Sequence, residues 1–550
     1  MTPRTSAAAP LIAAALLSTA VLTACSGTDP DPDPPSQRGI DARSYYDDYD
    51  VGADEDGAVP TYSAQVESEA GDQYGAAEPT IPPAPNEDNV FRDHGSSGFV
   101  DATADPRSTF ALDVDAGSYG VARTFLRDGL RVPPAAIRVE EWVNAFEYDD
   151  PAPSDGDLGL TAETGLAPSL TDGTQLVRIG VSAREVAAAD RPPVNITLVV
   201  DRSGSMDIRE RLGLVQSSLA LLADRLNPDD TVSVVSFEDE ARPILAPTPV
   251  RDTDAILDAI EELRPGGSTN LEAGLRLGYE QAREAASSGD PDAVNLVVLA
   301  SDGVANVGST GPGSIIETIQ EEGRSRDGAI HLVTVGYGLG NYNDHLMEQL
   351  ANLGDGFYAY VDDYDEAEQL FGEDLVTTLT PVAAEARTQV TFDPERVTSY
   401  RLVGYENRAI ADEDFTDPGT DAGELGAGHH ATALYEVRLA PDVEPGAVIG
   451  SAAVRWNAVT PGGPAEAPQQ EATIALTAAE PDNPAAAPSY RLELAATVAD
   501  LAQVLKQAEP YADRAVTLED LRVRAQELAD ADVPGAGDLV TVIEQAIALA

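Results

Sequence analysis

The sequence predicts an α/β fold: a doubly wound, mostly parallel sheet with β-rich regions on either side and helices at the C-terminus. Three observations carry this reading. VNITLVV, TVSVVSF, NLVVLAS and AIHLVTV are short, continuous runs rich in Val, Ile and Leu, the signature of strands buried on both faces. Amphipathic segments separate them, and in RLGLVQSSLALLADRL the residues Val215, Leu219, Leu222 and Leu226 fall on one helical face. The pattern then turns β-rich in TQVTFD, YRLVGYEN, TALYEVRL, VIGSAAVRWNAV and EATIALTA. Strands alternating with helices of this length imply βαβ units with right-handed crossovers. In such sheets ligands sit beyond the carboxyl ends of the strands.

The elements follow in order. In residues 1–25, Arg4 precedes an apolar run from Ala7 to Leu22, and Leu22-Thr23-Ala24-Cys25 closes it. That is the pattern of an export signal ending in a lipobox, with Cys25 as the residue that receives lipid. An ordinary secretory signal or a short membrane anchor is the competing reading. Residues 26–95 are rich in Asp, Pro, Gly, Ser and Ala and read as a disordered acidic tether; Tyr45, Tyr46 and Tyr49 are read as solvated low-complexity sequence within it, with a docking motif as the competing reading. As a flexible coil, such a tether of ~70 residues spans roughly 45 Å.

Residues 96–190 form a flanking region of short strand-like and helical pieces. Trp142 and Phe146 are four apart on a helical pattern, as core packing requires; Asp113 and Asp115 alternate as on a solvated strand face, with a metal site as the competing reading. Residues 191–380 hold the α/β unit, 381–480 a β-rich domain, and 481–550 a helical segment introduced by PDNPAAAPS. No later segment supplies the ~20 apolar residues of a membrane span.

With 34 basic and 95 acidic residues, the chain carries a formal net charge of −61. This disfavours nucleic acid and anionic membrane surfaces as partners and favours cations. Cys25 is the only cysteine, so no intramolecular disulfide can form.

The functional signal lies at strand ends. NITLVVDRSGSM runs from apolar residues into Asp201, Ser203 and Ser205, with Gly204 permitting a tight turn. GGSTNLEAG presents the hydroxyls of Ser268 and Thr269 at the start of the next helix, and Asp302 ends a further buried strand in LVVLASDGVANVG. Two carboxylates and three hydroxyls from three loops thus converge on one sheet edge. Such hard oxygens suit Mg²⁺, which keeps several waters and leaves a coordination position for an incoming ligand; Mn²⁺ or Ca²⁺ would satisfy similar oxygens.

Asp201-x-Ser203-x-Ser205, Thr269 and Asp302 resemble the metal-ion-dependent adhesion site (MIDAS) of von Willebrand factor type A (VWA) domains. The stretches DPRSTFALDVDAGSYGVARTFLRDG, IRVEEWVNAFEYDDP and YRLVGYENRAIADEDF extend the resemblance to a bacterial lipoprotein family in which a VWA domain has its own flanking regions. The resemblance implies a binding protein outside the cytoplasm, held to the membrane by lipid on Cys25, whose cation engages an Asp or Glu of a protein partner. It also implies that the last VWA helix, here Tyr364 to Leu379, shifts when ligand engages. An envelope-assembly scaffold with a structural metal is the alternative. A metal-assisted hydrolase is disfavoured: His331 lies in a strand pattern, and His345, His429 and His430 lie elsewhere in sequence, so no general base is apparent.

Overall fold

A computed structural model describes residues 39–50 and most of 89–550; residues 304–314, 316–329, 375–379, 460–468, 509–515 and some shorter stretches lie outside it. The expected signal, Cys25, most of the tether and the end of the helix expected over Tyr364 to Leu379 also fall outside the described residues.

Four strands precede the α/β unit: β1 (Val100–Asp101), β2 (Arg107–Ala111), β3 (Leu158–Leu166) and β4 (Gln175–Ala183). The α/β unit contributes β5 (Val194–Asp201), β6 (Thr231–Phe237), β7 (Ala241–Pro249), β8 (Val294–Ser301), β9 (Ile330–Tyr337) and β10 (Tyr358–Val361). These pair in the order β10-β9-β8-β5-β6-β7. All the pairings are parallel except β6 with β7, an antiparallel edge. Every residue of β5 is buried, because helices cover both faces of this sheet. Val199, Val235 and Val297 face one helical layer with Leu275 and Tyr279. Leu198 and Val200 face the opposite layer with Val215 and Leu219.

The flanking regions fold together. Strands β11 (Pro381–Phe392), β12 (Val397–Val403), β13 (Gly423–Gly426), β14 (His430–Leu439), β15 (Val448–Ala458) and β16 (Gln469–Thr477) follow the α/β unit. One sheet has the order β1-β12-β14-β4-β3; the other has the order β13-β11-β15-β16, with β2 paired to β11. Each therefore mixes strands from before and after the α/β unit. Their common core joins Phe110, Val177 and Ile179 to Val390, Tyr435 and Trp456. The α/β unit is thus inserted between β4 and β11 of a composite two-sheet body, whereas the sequence pattern assigns 96–190 and 381–480 to separate regions.

Of the C-terminal helices, Tyr490–Lys506 packs on Val139–Asn144 and Ala536–Leu549 on Gly117–Arg127, while Leu518–Asp530 packs on the other two, in a core that includes Trp142 and Phe146. Among the described residues no helix is long and apolar enough to cross a membrane.

The structure corrects the sequence reading at two places. Both described pieces of the expected tether are docked. Helix Ala42–Asp47 packs on helix Leu214–Arg225, Tyr46 lies 6.2 Å from Tyr364 between ring centroids, and Tyr49 donates to Asp207 Oδ1 at 3.2 Å. Gly213 makes room for this peptide, since a Cβ there would meet the Tyr49 ring at 2.9 Å. At the other end, Val90 N donates to Tyr342 O at 2.8 Å and Phe91 packs 5.9 Å from Phe125. Three tyrosines and a phenylalanine bury enough apolar surface to hold short segments that their composition alone would leave solvated. Asp113 and Asp115 are the second correction. They are buried rather than solvated, and Arg408 lies 2.9 Å and 3.2 Å from them.

Candidate metal centre

Strand β5 ends at Asp201, which is fully buried at the carboxyl edge of the parallel sheet. The chain then turns through Ser203 into a short 3₁₀ turn, Gly204–Met206. Asp201 Oδ1 accepts from Ser203 N at 2.9 Å, closing a local turn. The Ser203 and Ser205 hydroxyls lie 3.0 Å apart, so the alternation seen in the sequence does bring both to one point.

Two main-chain bonds tie this loop to the second. Gly204 N donates to Gly267 O at 3.1 Å, and Gly266 N donates to Arg202 O at 2.8 Å. Gly267 has φ +74°, a left-handed conformation that glycine adopts without strain. Beyond it Thr269 is buried, and Asn270 caps helix Leu271–Ser288 by accepting from Ala273 N. The neighbouring hydroxyl residue, Ser268, is half-buried and its N–H donates to Asp239.

The third loop is tied through Ser301, whose hydroxyl donates to Asp201 Oδ2 at 2.7 Å and accepts from Gly303 N at 3.0 Å. Asp302 follows, fully buried. Burial, reinforced by the neighbouring charge of Asp302, pushes the Asp201 carboxyl well above the usual carboxylate range. Two buried carboxylates this close favour a cation between them. Sequence reasoning missed the cation that the chain itself provides. Arg211, in the wide π-type turn Arg209–Gly213, donates to Asp302 Oδ2 at 2.9 Å and to Ser205 O at 2.7 Å, and also reaches Leu339 O. Its guanidinium offsets one carboxylate charge. No sequence signal would have found it, because an arginine beginning an amphipathic helix ordinarily faces water.

The donor set of two carboxylates and three hydroxyls is chemically suited to a hard divalent cation. The structure places Asp201, Ser203, Ser205 and Asp302 in one hydrogen-bonded and electrostatically coupled group. Thr269 reaches the same edge through the loop that Gly267 anchors.

Comparison with known proteins defines the class first. Residues 195–373 match the von Willebrand factor type A domain model, and residues 85–178 match a von Willebrand factor model. Residues 377–549 match the C-terminal region of uncharacterized protein YfbK. The chain therefore carries a central VWA domain and a YfbK-like C-terminal region, and a VWA domain points to protein–protein interaction or metal-dependent binding.

Particular relatives follow. Uncharacterized protein YfbK of Escherichia coli (strain K12) is 37% identical over 341 residues, which cover 61% of this chain and 58% of that one. Inter-alpha-trypsin inhibitor heavy chain H4 of Bos taurus is 26% identical over 218 residues, covering 37% of this chain and 23% of that one. The chain thus spans less than two thirds of the length of these curated relatives. A solved von Willebrand factor type A protein from Catenulispora acidiphila has a TM-score of 0.41 at 15% identity, over 68% of this chain and 88% of that one.

Proposed function

We propose that Asp201, Ser203, Ser205, Thr269 and Asp302 hold a divalent cation, Mg²⁺ first and Mn²⁺ or Ca²⁺ as substitutes. The cation then engages an Asp or Glu carboxylate on a protein partner. Lipid on Cys25 anchors the protein outside the cytoplasm, in the cell envelope. The observation that carries this reading is the pairing of Asp201 and Asp302, both fully buried, beside the Ser203 and Ser205 hydroxyls at the carboxyl edge of the sheet. Bound there, the cation supplies positive charge with an open coordination position. The chain's residues do the rest: the carboxylates fix the charge and Ser301 orients Asp201. The acidic surface suppresses contacts made without the metal. Binding rather than hydrolysis is the proposal, since none of the three loops contains a histidine.

An envelope scaffold is the second reading. It draws on the composite two-sheet body and on Arg211, which partly neutralises the site from within. Capture of envelope proteins on immobilised wild-type chain, with Mg²⁺ or with EDTA, separates the two. Binding that requires Mg²⁺ and is lost in Asp302→Ala supports the adhesion reading. Equal capture in all conditions supports the scaffold.

A further inference from the structure

A second cluster of ligand-type side chains shares no residue with the VWA site, although the helix that carries two of them starts beside the Asp302 loop, where a Cβ on Gly303 would meet Asn343 O at 3.0 Å. His345 and Glu348 sit three residues apart on helix Asp344–Leu353, on one face of it, and His94 approaches from the docked segment before β1. Each of the three offers a ligand atom within 4.8 Å of those of the other two. Three of their polar atoms, His94 Nε2, His345 Nδ1 and Glu348 Oε2, are buried without a hydrogen-bond partner among the described residues. Glu348 is 4% exposed. A buried carboxylate oxygen and two buried ring nitrogens left unpaired in one place carry a desolvation cost that a shared ligand would remove.

The surroundings fit this. Asn407 donates to Glu348 Oε1 at 2.7 Å and so orients the carboxylate. Arg138 Nη1 lies 3.9 Å from Glu348 Oε2, beyond hydrogen-bond reach, and is itself engaged by Asp344 and Glu141. The cluster borders a cavity of about 550 Å³, also lined by Asn352 and Arg408, so an ion has a way in. The Asp113, Asp115 and Glu141 group nearby differs, because Arg408 and Arg138 already pair with its carboxylates.

We propose that His94, His345 and Glu348 form a transition-metal site, suited to Zn²⁺ rather than Mg²⁺ and separate from the VWA site. Two imidazole nitrogens and one carboxylate oxygen are a zinc donor set, and three protein ligands leave a fourth position for water or a ligand from the cavity. Ligation through His345 Nδ1 puts the ring proton on Nε2 and displaces the long 3.4 Å contact between Nε2 and Arg92. The ion would fasten the segment that precedes β1 to the VWA domain.

The test is Co²⁺ titration of the full chain, free of any polyhistidine tag, followed by visible absorption and by displacement with Zn²⁺. Imidazole-ligated Co²⁺ in a four-coordinate site absorbs strongly, whereas an all-oxygen octahedral site absorbs weakly. The expected result is one equivalent of strong absorption, bleached by Zn²⁺, unchanged in Asp201→Ala and lost in His94→Ala and in His345→Ala. His94 lies outside regular secondary structure, so its replacement leaves the helix intact. Absence of the strong band, or a band that survives both histidine substitutions, would overturn the proposal.

Discussion

Replacing Arg211 with methionine keeps much of its apolar stem and removes the guanidinium. The Arg211 side chain is 7% exposed and the Asp302 side chain 0%, with 2.9 Å between them. Removing one partner of such a buried pair leaves an uncompensated charge and costs about 3–5 kcal/mol. That cost should appear in full in metal-free buffer, where Asp201 and Asp302 then face each other without the guanidinium. Mg²⁺ at about 100 times its dissociation constant returns about 2.7 kcal/mol through linkage. The cation no longer competes with the guanidinium, so its affinity should also rise, by about tenfold if about 1.4 kcal/mol of the relieved repulsion is expressed in binding. Urea denaturation with EDTA and with Mg²⁺ reads both effects. Metal-free destabilisation below about 1 kcal/mol, or loss of Mg²⁺ binding in Arg211→Met, would refute the view that Arg211 stands in for the metal at Asp302.

Three further outcomes are expected. Glu140 is buried near Glu406 and Asp113, and burial first, then those charges, push its carboxyl up to about 7. Because the folded-state value is raised, its stabilising contribution is complete below pH ~4.5 and lost as pH rises through ~7. Denaturation midpoints should therefore show Glu140→Gln gaining on wild type across that window, by about 3 kcal/mol at most. Arg401 and Glu436 pair at 3.0 Å, both buried, and Arg401 also donates to Gln503 of a C-terminal helix. Arg401→Met should cost about 3–5 kcal/mol and expose that helix to limited proteolysis. Trp142, fully buried among Tyr119 and the C-terminal helices, should cost about 3–5 kcal/mol when replaced by alanine, read by the shift of the thermal midpoint.

The sheet of the VWA domain was legible because buried parallel strands write themselves as unbroken apolar runs, and its loops because a strand that ends in Asp201 or Asp302 departs abruptly from that run. What depends on pairing across long stretches of chain was not legible. The joining of β4 with β14, or of β2 with β11, depends on register between segments more than 200 residues apart, which local pattern does not encode. Arg211 escaped for a related reason, as its role comes from where the π-type turn aims it and not from its neighbours in sequence. For the docked tyrosines the solvated reading outweighed the docking one, because a six-residue helix such as Ala42–Asp47 is too short to show a period. His94 lies 251 residues from His345, so nothing local in the sequence joins the two.

The measurement that bears most directly on the central claim is calorimetric titration of Mg²⁺ into the chain beginning after Cys25, beside Asp201→Ala, with circular dichroism showing that both are folded. Saturable binding of one Mg²⁺ per chain in the wild type, absent in Asp201→Ala, is the predicted result. Identical heats from the two folded proteins would contradict it and leave the composite two-sheet body, not the metal, as the basis of function.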